Sequence, residues 1–299
     1  MSVAKYYPFN GERGRLRLGL RPIDFENWIQ YEDDFVDRVC GKKNLIRNLG
    51  KRVLDSTPSS IPAQQELLQL LLDYLHKYRS KLFEIQGQRV ISLQENRTYS
   101  VGDYDKCPIE LISYLVADDF CILESDGDDY KLVAASVCAP TWWSLAEKMG
   151  KPLASIHQPI ANLEEKIGHM IRHFLQNLKV EDCYQRSNWF LFTRPDHCVF
   201  KNSFDMYKDM ISVNSENIEK CLYLRSERQS FIKLKETGNI VFGIKVYVAP
   251  ISIVKQHAAI AEDLDSALNT MTGEQKQSLG IGFVEQPLAV YLRQVLREQ

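Results

Sequence analysis

The sequence predicts an α+β fold in which helices flank an antiparallel sheet and further helices extend it at both ends of the chain. One observation is a hairpin signal: the apolar runs FCILES and YKLVAASVC are separated by a turn that contains Asp126-Gly127. A second hairpin is predicted where Thr237-Gly238-Asn239 separates two runs of β-branched and aromatic residues. The third observation is a helix that starts near Pro62 and repeats leucine at steps of three or four.

The other elements of the first half are predicted from caps and periodicity. From Asp24, a residue suited to an N-cap, a charged and aromatic stretch predicts a surface helix that continues to about Leu49. Beyond the leucine-rich helix, FEIQGQRVISL and RTYSV are typical of strands, and PIELISYLVADD is typical of a short helix.

The second half alternates in the same way. TWWSLAEKMG predicts a short helix that ends at Gly150, and a loop that carries His157 leads to a helix whose apolar stripe includes Ile167, Met170 and Leu178. Strands are predicted at WFLFT, CLYLRSERQSFIKL and NIVFGIKVYVA. From Ile251 the chain is expected to be helical.

Length and composition limit the class of protein. A chain of 299 residues fits one elaborated domain, which we expect to span residues 1–299. The 37 basic residues nearly balance the 39 acidic ones, so no strong field favours nucleic acid or an anionic membrane surface. No apolar stretch reaches the ~18 residues that a membrane helix needs.

The cysteine pattern indicates a cytoplasmic protein. Seven cysteines are scattered without a CxxC pair, which fits reduced thiols and argues against a zinc site or a cysteine-held iron–sulfur cluster. Patterns such as the P-loop, GxGxxG, GxSxG and HExxH are also absent from the sequence, which removes the nucleotide-binding and hydrolase functions that depend on them.

Six histidines are the pool from which a haem or metal ligand would come. His157 is the strongest candidate because prolines bracket its loop and can fix an imidazole toward a pocket, although a histidine that only packs the loop fits the same pattern. Glu165, His169 and His173 have helical spacing, but they lie away from the apolar stripe, and we expect them to face solvent without binding metal.

Two polar motifs in predicted strands are the other candidates. In LRSERQS, period-two alternation places Arg225 and Glu227 on one face and Arg228 on the other, and a solvated ion pair is the alternative to a ligand site. In RSNWF, Arg186 and Asn188 precede a strand, where they could contact a ligand or cap a turn.

These segments, taken in order, resemble the haem-dependent oxidative N-demethylase family. The resemblance rests on GLRPID, ELLQLLLDYLHKYRSKLF, LVAASVCAPTWWSLAEKMGKPLASIHQPI, RSNWF and LRSERQSFIKLKETGNIVFGIKVYVAPIS, which together span most of the chain. It implies a PAS-like fold and a haem-bearing subunit that uses oxygen to demethylate a small secondary amine such as dimethylamine. It also implies separate reductase and folate-binding subunits that carry NADPH, FMN, a 2Fe–2S cluster and tetrahydrofolate.

The resemblance assigns roles to the candidate residues. His157 becomes the axial ligand of the haem iron, and Arg186 and Asn188 become cofactor-binding residues. Arg225 or Arg228 would bind an oxygen species or a haem propionate, and Glu227 would pair with the amine or with an arginine. We expect these catalytic side chains to surround one cavity.

Two other functions remain open from the sequence. A haem-based gas or redox sensor without turnover would use the same PAS-like scaffold, since fold does not dictate function. A haem-free interaction protein is the third hypothesis. An absorption spectrum separates the haem proteins from the last of these.

Overall fold

The computed structural model describes residues 19–157, 164–200, 208–278 and 280–298. It confirms the α+β class, with a seven-stranded antiparallel sheet, a separate three-stranded sheet, and helices around them. The large sheet has the strand order β1-β8-β9-β10-β6-β7-β2. Its strands are β1 Arg21–Pro22, β2 Leu54–Ser56, β6 Asp119–Asp126, β7 Asp129–Ser136, β8 Tyr184–Phe192, β9 Tyr223–Lys233 and β10 Ile240–Pro250. The small sheet contains β3 Phe83–Gln86, β4 Arg89–Ser92 and β5 Arg97–Ser100.

The helices lie before, between and after these strands. The first five are α1 Phe35–Leu49, α2 Ile61–Tyr78, α3 Pro108–Leu115, α4 Leu153–His157 and α5 His169–Asn177, with a π-helical turn at Glu164–Gly168. The later ones are Ile218–Cys221, Ala258–Thr270, Gly273–Ser278 and Glu285–Glu298. Over the described ranges, no helix is both long and apolar enough to cross a membrane.

Both predicted hairpins are present. Asp126 pairs with Asp129 across the Asp-Gly turn, where Gly127 has a φ of 64° that favours glycine. The β9–β10 pair is the longest in the sheet and runs from Ile240 opposite Lys233 to Pro250 opposite Tyr223. This pair forms the middle of the sheet and carries the charged strand.

The sheet has two covered faces. On the first, which we call the α5 face, the Phe174 ring of α5 lies 5.3 Å from the ring of Tyr184 and 5.5 Å from that of Phe231. On the opposite face, which we call the α2 face, Ile232 and Val241 join the core formed with α2 and α3. The C-terminal helices build a second cluster on that side of the sheet.

The helix predicted from Asp24 to Leu49 is wrong over residues 24–34. A 3-10 turn at Phe25–Asn27 comes first, and α1 begins only at Phe35. Trp28 explains the difference because its buried ring packs 5.4 Å from Tyr74, so the chain dips into the core there. Helix periodicity alone cannot reveal such an anchor.

Two other local predictions need correction. TWWSLAEKMG forms only the 3-10 turn Leu145–Glu147, and the segment with His157 is the short helix α4. In the stripe predicted for α5, Ile167 and Leu178 are buried, whereas Met170 is 42% exposed.

Candidate functional site

The charged strand β9 divides its charges between the two faces of the sheet, as alternation predicts. Arg225 and Glu227 lie on the α5 face, together with their cross-strand neighbours Phe190 and Asn188 of β8. Arg228 lies on the α2 face. The alternative of a solvated ion pair is wrong, because Arg225 is 0% exposed and Glu227 is 7% exposed.

Arg225 is a clamp between two segments of the chain. Its Nε donates to the Thr141 hydroxyl at 3.0 Å, and its Nη2 donates to the carbonyl of Ala139 at 2.8 Å and that of Pro140 at 3.4 Å. Its Nη1 donates to the carbonyl of His197 at 2.9 Å and that of Asp196 at 3.3 Å. A guanidinium has five N–H groups, so these contacts leave Arg225 no donor for a ligand.

Glu227 is a buried carboxylate on the α5 face. One oxygen accepts from the Thr141 hydroxyl, and the other accepts from the Gln229 amide at 3.0 Å. A carboxylate has about four lone-pair sites, so it can still accept from a third donor. Thr141 therefore links Glu227 to the Arg225 clamp.

Arg186 and Asn188 lie within β8, whereas the sequence had suggested that they precede the strand. Asn188 is directly opposite Glu227, and its Oδ1 accepts from the backbone N–H of Trp189 at 3.0 Å. Arg186 is half-buried, and burial lowers its pKa while Glu227 opposes that shift. The Nε of Arg186 is buried and has no acceptor in the described part of the chain.

Arg228 does not share a cavity with Arg225 and Glu227. Its Nη1 donates to the carbonyl of Trp28 at 2.9 Å, and its Nε donates to Gln185 at 2.8 Å. The expectation that the three charges surround one cavity is therefore wrong, because the pleat sends Arg228 to the α2 face. There it fixes the segment before α1 to the sheet.

The histidine candidates have different outcomes. The backbone of His157 ends α4, but its side chain lies outside the described residues, so its role stays a prediction. His197 is half-buried beside Pro195, and burial together with Arg38 and Arg225 lowers its pKa to about 3. Its imidazole is thus neutral at physiological pH, which is the form that binds metal.

The helix α5 presents its histidines to solvent, as expected. His169 and His173 are exposed and line a cavity of about 450 Å³, while Glu165 is exposed on the preceding π-helical turn. No group of three metal-ligating side chains is found within the described ranges. That these three side chains do not jointly bind metal stays a prediction.

The sequence reasoning missed the segment 139–142. The backbone N–H of Ala139 donates to Asp119 at 2.7 Å, and Lys42 forms an ion pair with Asp119 at 3.3 Å. The backbone N–H of Trp142 donates to the carbonyl of Val199 at 2.9 Å. Pro140 was the one feature of the sequence that marked this segment. Its hydrogen-bond partners belong to elements that are distant in sequence, so the neighbouring residues could not predict them.

A comparison with protein families gives a match over most of the chain. The family described as "Haem-dependent oxidative N-demethylase, alpha subunit-like" matches residues 19–285. The matched range contains β8, β9, the segment 139–142 and all the residues of the α5 face described above.

Proposed function

Because this chain belongs to the family of haem-dependent oxidative N-demethylase, alpha subunit-like proteins, we propose that it binds haem against the α5 face and uses oxygen to demethylate a small secondary amine such as dimethylamine. The observation that carries the proposal is the buried Nε of Arg186, which has no hydrogen-bond acceptor among the described residues. Burying such a donor without an acceptor costs about 1–3 kcal/mol, and more when the group is charged. A bound anion removes that cost.

The side chains around Arg186 fit haem. Arg186 would hold a propionate, with the Asn188 amide beside it, since guanidinium and carboxylate make strong charge-assisted hydrogen bonds. Farther along the same face of β8, Phe190 and Phe192 pack with Trp142 and offer an aromatic wall for an apolar macrocycle. A cationic end and an aromatic end on one strand suit a ligand with both characters.

In this proposal His157 would hold the haem iron, and its helix α4 packs beside β7. His197 is the second candidate, because a neutral imidazole on a clamped segment is suited to bind iron. Haem iron, when bound, supplies the redox centre at which oxygen is reduced and the amine is oxidised. The chain's own residues position the ligands and the protons.

Glu227 is the residue that we propose for amine recognition. A small secondary amine is a cation at neutral pH, as the lysine side chain is. The free lone pairs of the buried Glu227 carboxylate can accept hydrogen bonds from the N–H groups of the amine. The buried negative charge of Glu227 is then paired with the positive charge of the amine. Arg225 acts at a distance in this scheme, because it fixes Thr141 and through it the orientation of Glu227.

The remaining assignments belong to the same proposal. We place NADPH, FMN, the 2Fe–2S cluster and tetrahydrofolate on separate reductase and folate-binding subunits, in keeping with the family's description as an alpha subunit. All seven cysteines are free thiols, which supports a cytoplasmic location. The shared sheet supports a single domain over residues 1–299, and its helix-flanked antiparallel strands support the PAS-like assignment.

Oxygen uptake by the haem-loaded protein tests the proposal. With an added reductant, dimethylamine should accelerate uptake and release a one-carbon unit, and Glu227→Gln should raise the KM for the amine more than it lowers kcat. A Soret band without amine-dependent uptake would favour the sensor instead. Failure to acquire a Soret band after haemin addition would refute both haem functions and favour the interaction protein.

A further inference from the structure

The indole N–H of Trp142 is a buried donor that no described residue accepts. Its Nε1 is shielded from solvent and has no acceptor in the part of the chain that the structure describes. An indole nitrogen can only donate, and a buried donor without an acceptor costs about 1–3 kcal/mol. Such an atom calls for a partner that is not part of the fold.

The backbone of Trp142 is strained as well. Its φ is 63°, and among the described residues only Asn96 shares a positive φ without being glycine. For a bulky residue this conformation costs on the order of 1–3 kcal/mol and persists only where the surroundings impose it. The Arg225 clamp and the Trp142–Val199 hydrogen bond impose it here.

The ring itself has a fixed place beside the α5 face. It stacks on Phe192 with the ring centres 4.7 Å apart and meets Phe190 edge-on at 5.7 Å. On another side it approaches Gly280, where an added β-carbon would lie 4.0 Å from Cη2 of the indole. These contacts hold the indole and leave its N–H without an acceptor among the residues that the structure describes.

Trp28 provides a contrast. Its Nε1 also lacks an acceptor within the described ranges, but the ring lies in the aromatic core with Phe25, Tyr74 and Phe120, and its φ is not positive. Nothing about Trp28 points to a ligand. Trp142 differs because its donor is combined with imposed strain and a position next to Glu227's hydrogen-bond partner, Thr141.

The surroundings of Trp142 favour an anionic partner. The guanidinium of Arg225 is held beside this residue, because it donates to the carbonyls of Asp196 and His197 and its Cζ lies 5.2 Å from the centre of the Phe192 ring on which Trp142 stacks. A cation in this position favours a negative group at the indole N–H. Among organic anions, a carboxylate offers several lone pairs to an N–H donor.

We propose that the Trp142 indole N–H binds a carboxylate of the ligand that occupies the α5 face. This inference rests on the proposed function, since the carboxylate is either a haem propionate or the acid group of an amine substrate. Either source uses the same hydrogen bond, and the clamp of Arg225 on segment 139–142 serves to hold it in place.

The propionate source is tested with haemin and its dimethyl ester, which lacks both carboxylates. Trp142→Phe keeps the stack on Phe192 but removes the N–H, and Trp143→Phe is the matched control in the adjacent position. If the propionate is the partner, Trp142→Phe weakens haemin binding by about tenfold. The ratio of the affinities for haemin and for its dimethyl ester is then smaller in Trp142→Phe than in the wild type by the same factor. Trp143→Phe should leave both values unchanged.

The substrate source is tested by titrating the haem-loaded protein with N-methylglycine and with dimethylamine. If the substrate carboxylate is the partner, Trp142→Phe weakens the binding of N-methylglycine and leaves that of dimethylamine unchanged. Trp142→His retains a ring N–H and should restore part of the lost affinity for N-methylglycine. This inference alone is overturned if the wild type binds haemin but, in both experiments, Trp142→Phe changes the affinity for the ligand with the carboxylate and for the ligand without it by factors that differ less than twofold. A wild type that binds no haemin overturns the proposed function and the inference together.

Discussion

Arg225→Ala should destabilise the protein severely, although the residue contacts no ligand in our account. The substitution removes the donors of five hydrogen bonds and leaves the carbonyls of Ala139 and His197 without their partner. It also strips a buried cation from the neighbourhood of Glu227. Breaking a buried charge network in this way costs about 3–5 kcal/mol.

That loss is large relative to the whole stability of a domain, which is about 5–15 kcal/mol. Urea denaturation followed by circular dichroism measures it, and with a slope near 3 kcal/mol per molar the midpoint should fall by about 1 M or more. Arg225→Lys should recover only part, because a single ammonium cannot span two segments as a planar guanidinium does.

Arg194→Ala is the matched control for this prediction. Arg194 is 57% exposed and pairs with Asp209 at 3.0 Å, so its loss should cost only about 0–1 kcal/mol. A cost for Arg225→Ala as small as that of the control would refute the clamp. Arg225 would then be available for the ligand role that the sequence first suggested.

Two other substitutions test the surroundings of the site. The pKa of His197 is about 3 against an ordinary value of 6.5, so its contribution to stability is present above pH 6.5 and is lost as the pH falls toward 3. His197→Gln should therefore flatten the decline of the urea midpoint between pH 7 and 5. If the midpoint of His197→Gln declined as much as that of the control His173→Gln, in which the exposed His173 is replaced, the pKa shift would be contradicted. Gly243→Ala should cost about 1–3 kcal/mol, since a β-carbon there would overlap the Ser230 hydroxyl. Thermal melts measure this loss, and Gly102→Ala, which has open space around the added β-carbon, should be nearly neutral in them. Equal melting temperatures of the two variants would show that β9 and β10 can move apart to accommodate the β-carbon.

Much of the sheet could be predicted because its signals are local. The Asp126-Gly127 turn and the apolar runs around it specify a hairpin without help from the rest of the chain. Alternation alone also separated Arg228 from Arg225 and Glu227. The resemblance then suggested one cavity for all three, and the pleat of β9 does not allow it.

The site could be predicted only in part because its partners are distant in sequence. Arg225 looked like a ligand-binding arginine, but its acceptors lie 28–29 and 84–86 residues earlier in the chain. No periodicity reports such contacts. The same holds for Trp142, whose strained backbone is imposed by tertiary hydrogen bonds and not by the residues next to it.

A haemin titration of the purified protein and of Arg186→Ala tests the central claim most directly. The account predicts a Soret band in the wild type and binding weakened at least tenfold in Arg186→Ala, since a charge-assisted hydrogen bond is worth about 1.5–3 kcal/mol. Arg194→Ala should bind like the wild type. Equal affinity of all three proteins for haemin would contradict the placement of haem beside Arg186, and no Soret band in any of them would contradict haem binding itself.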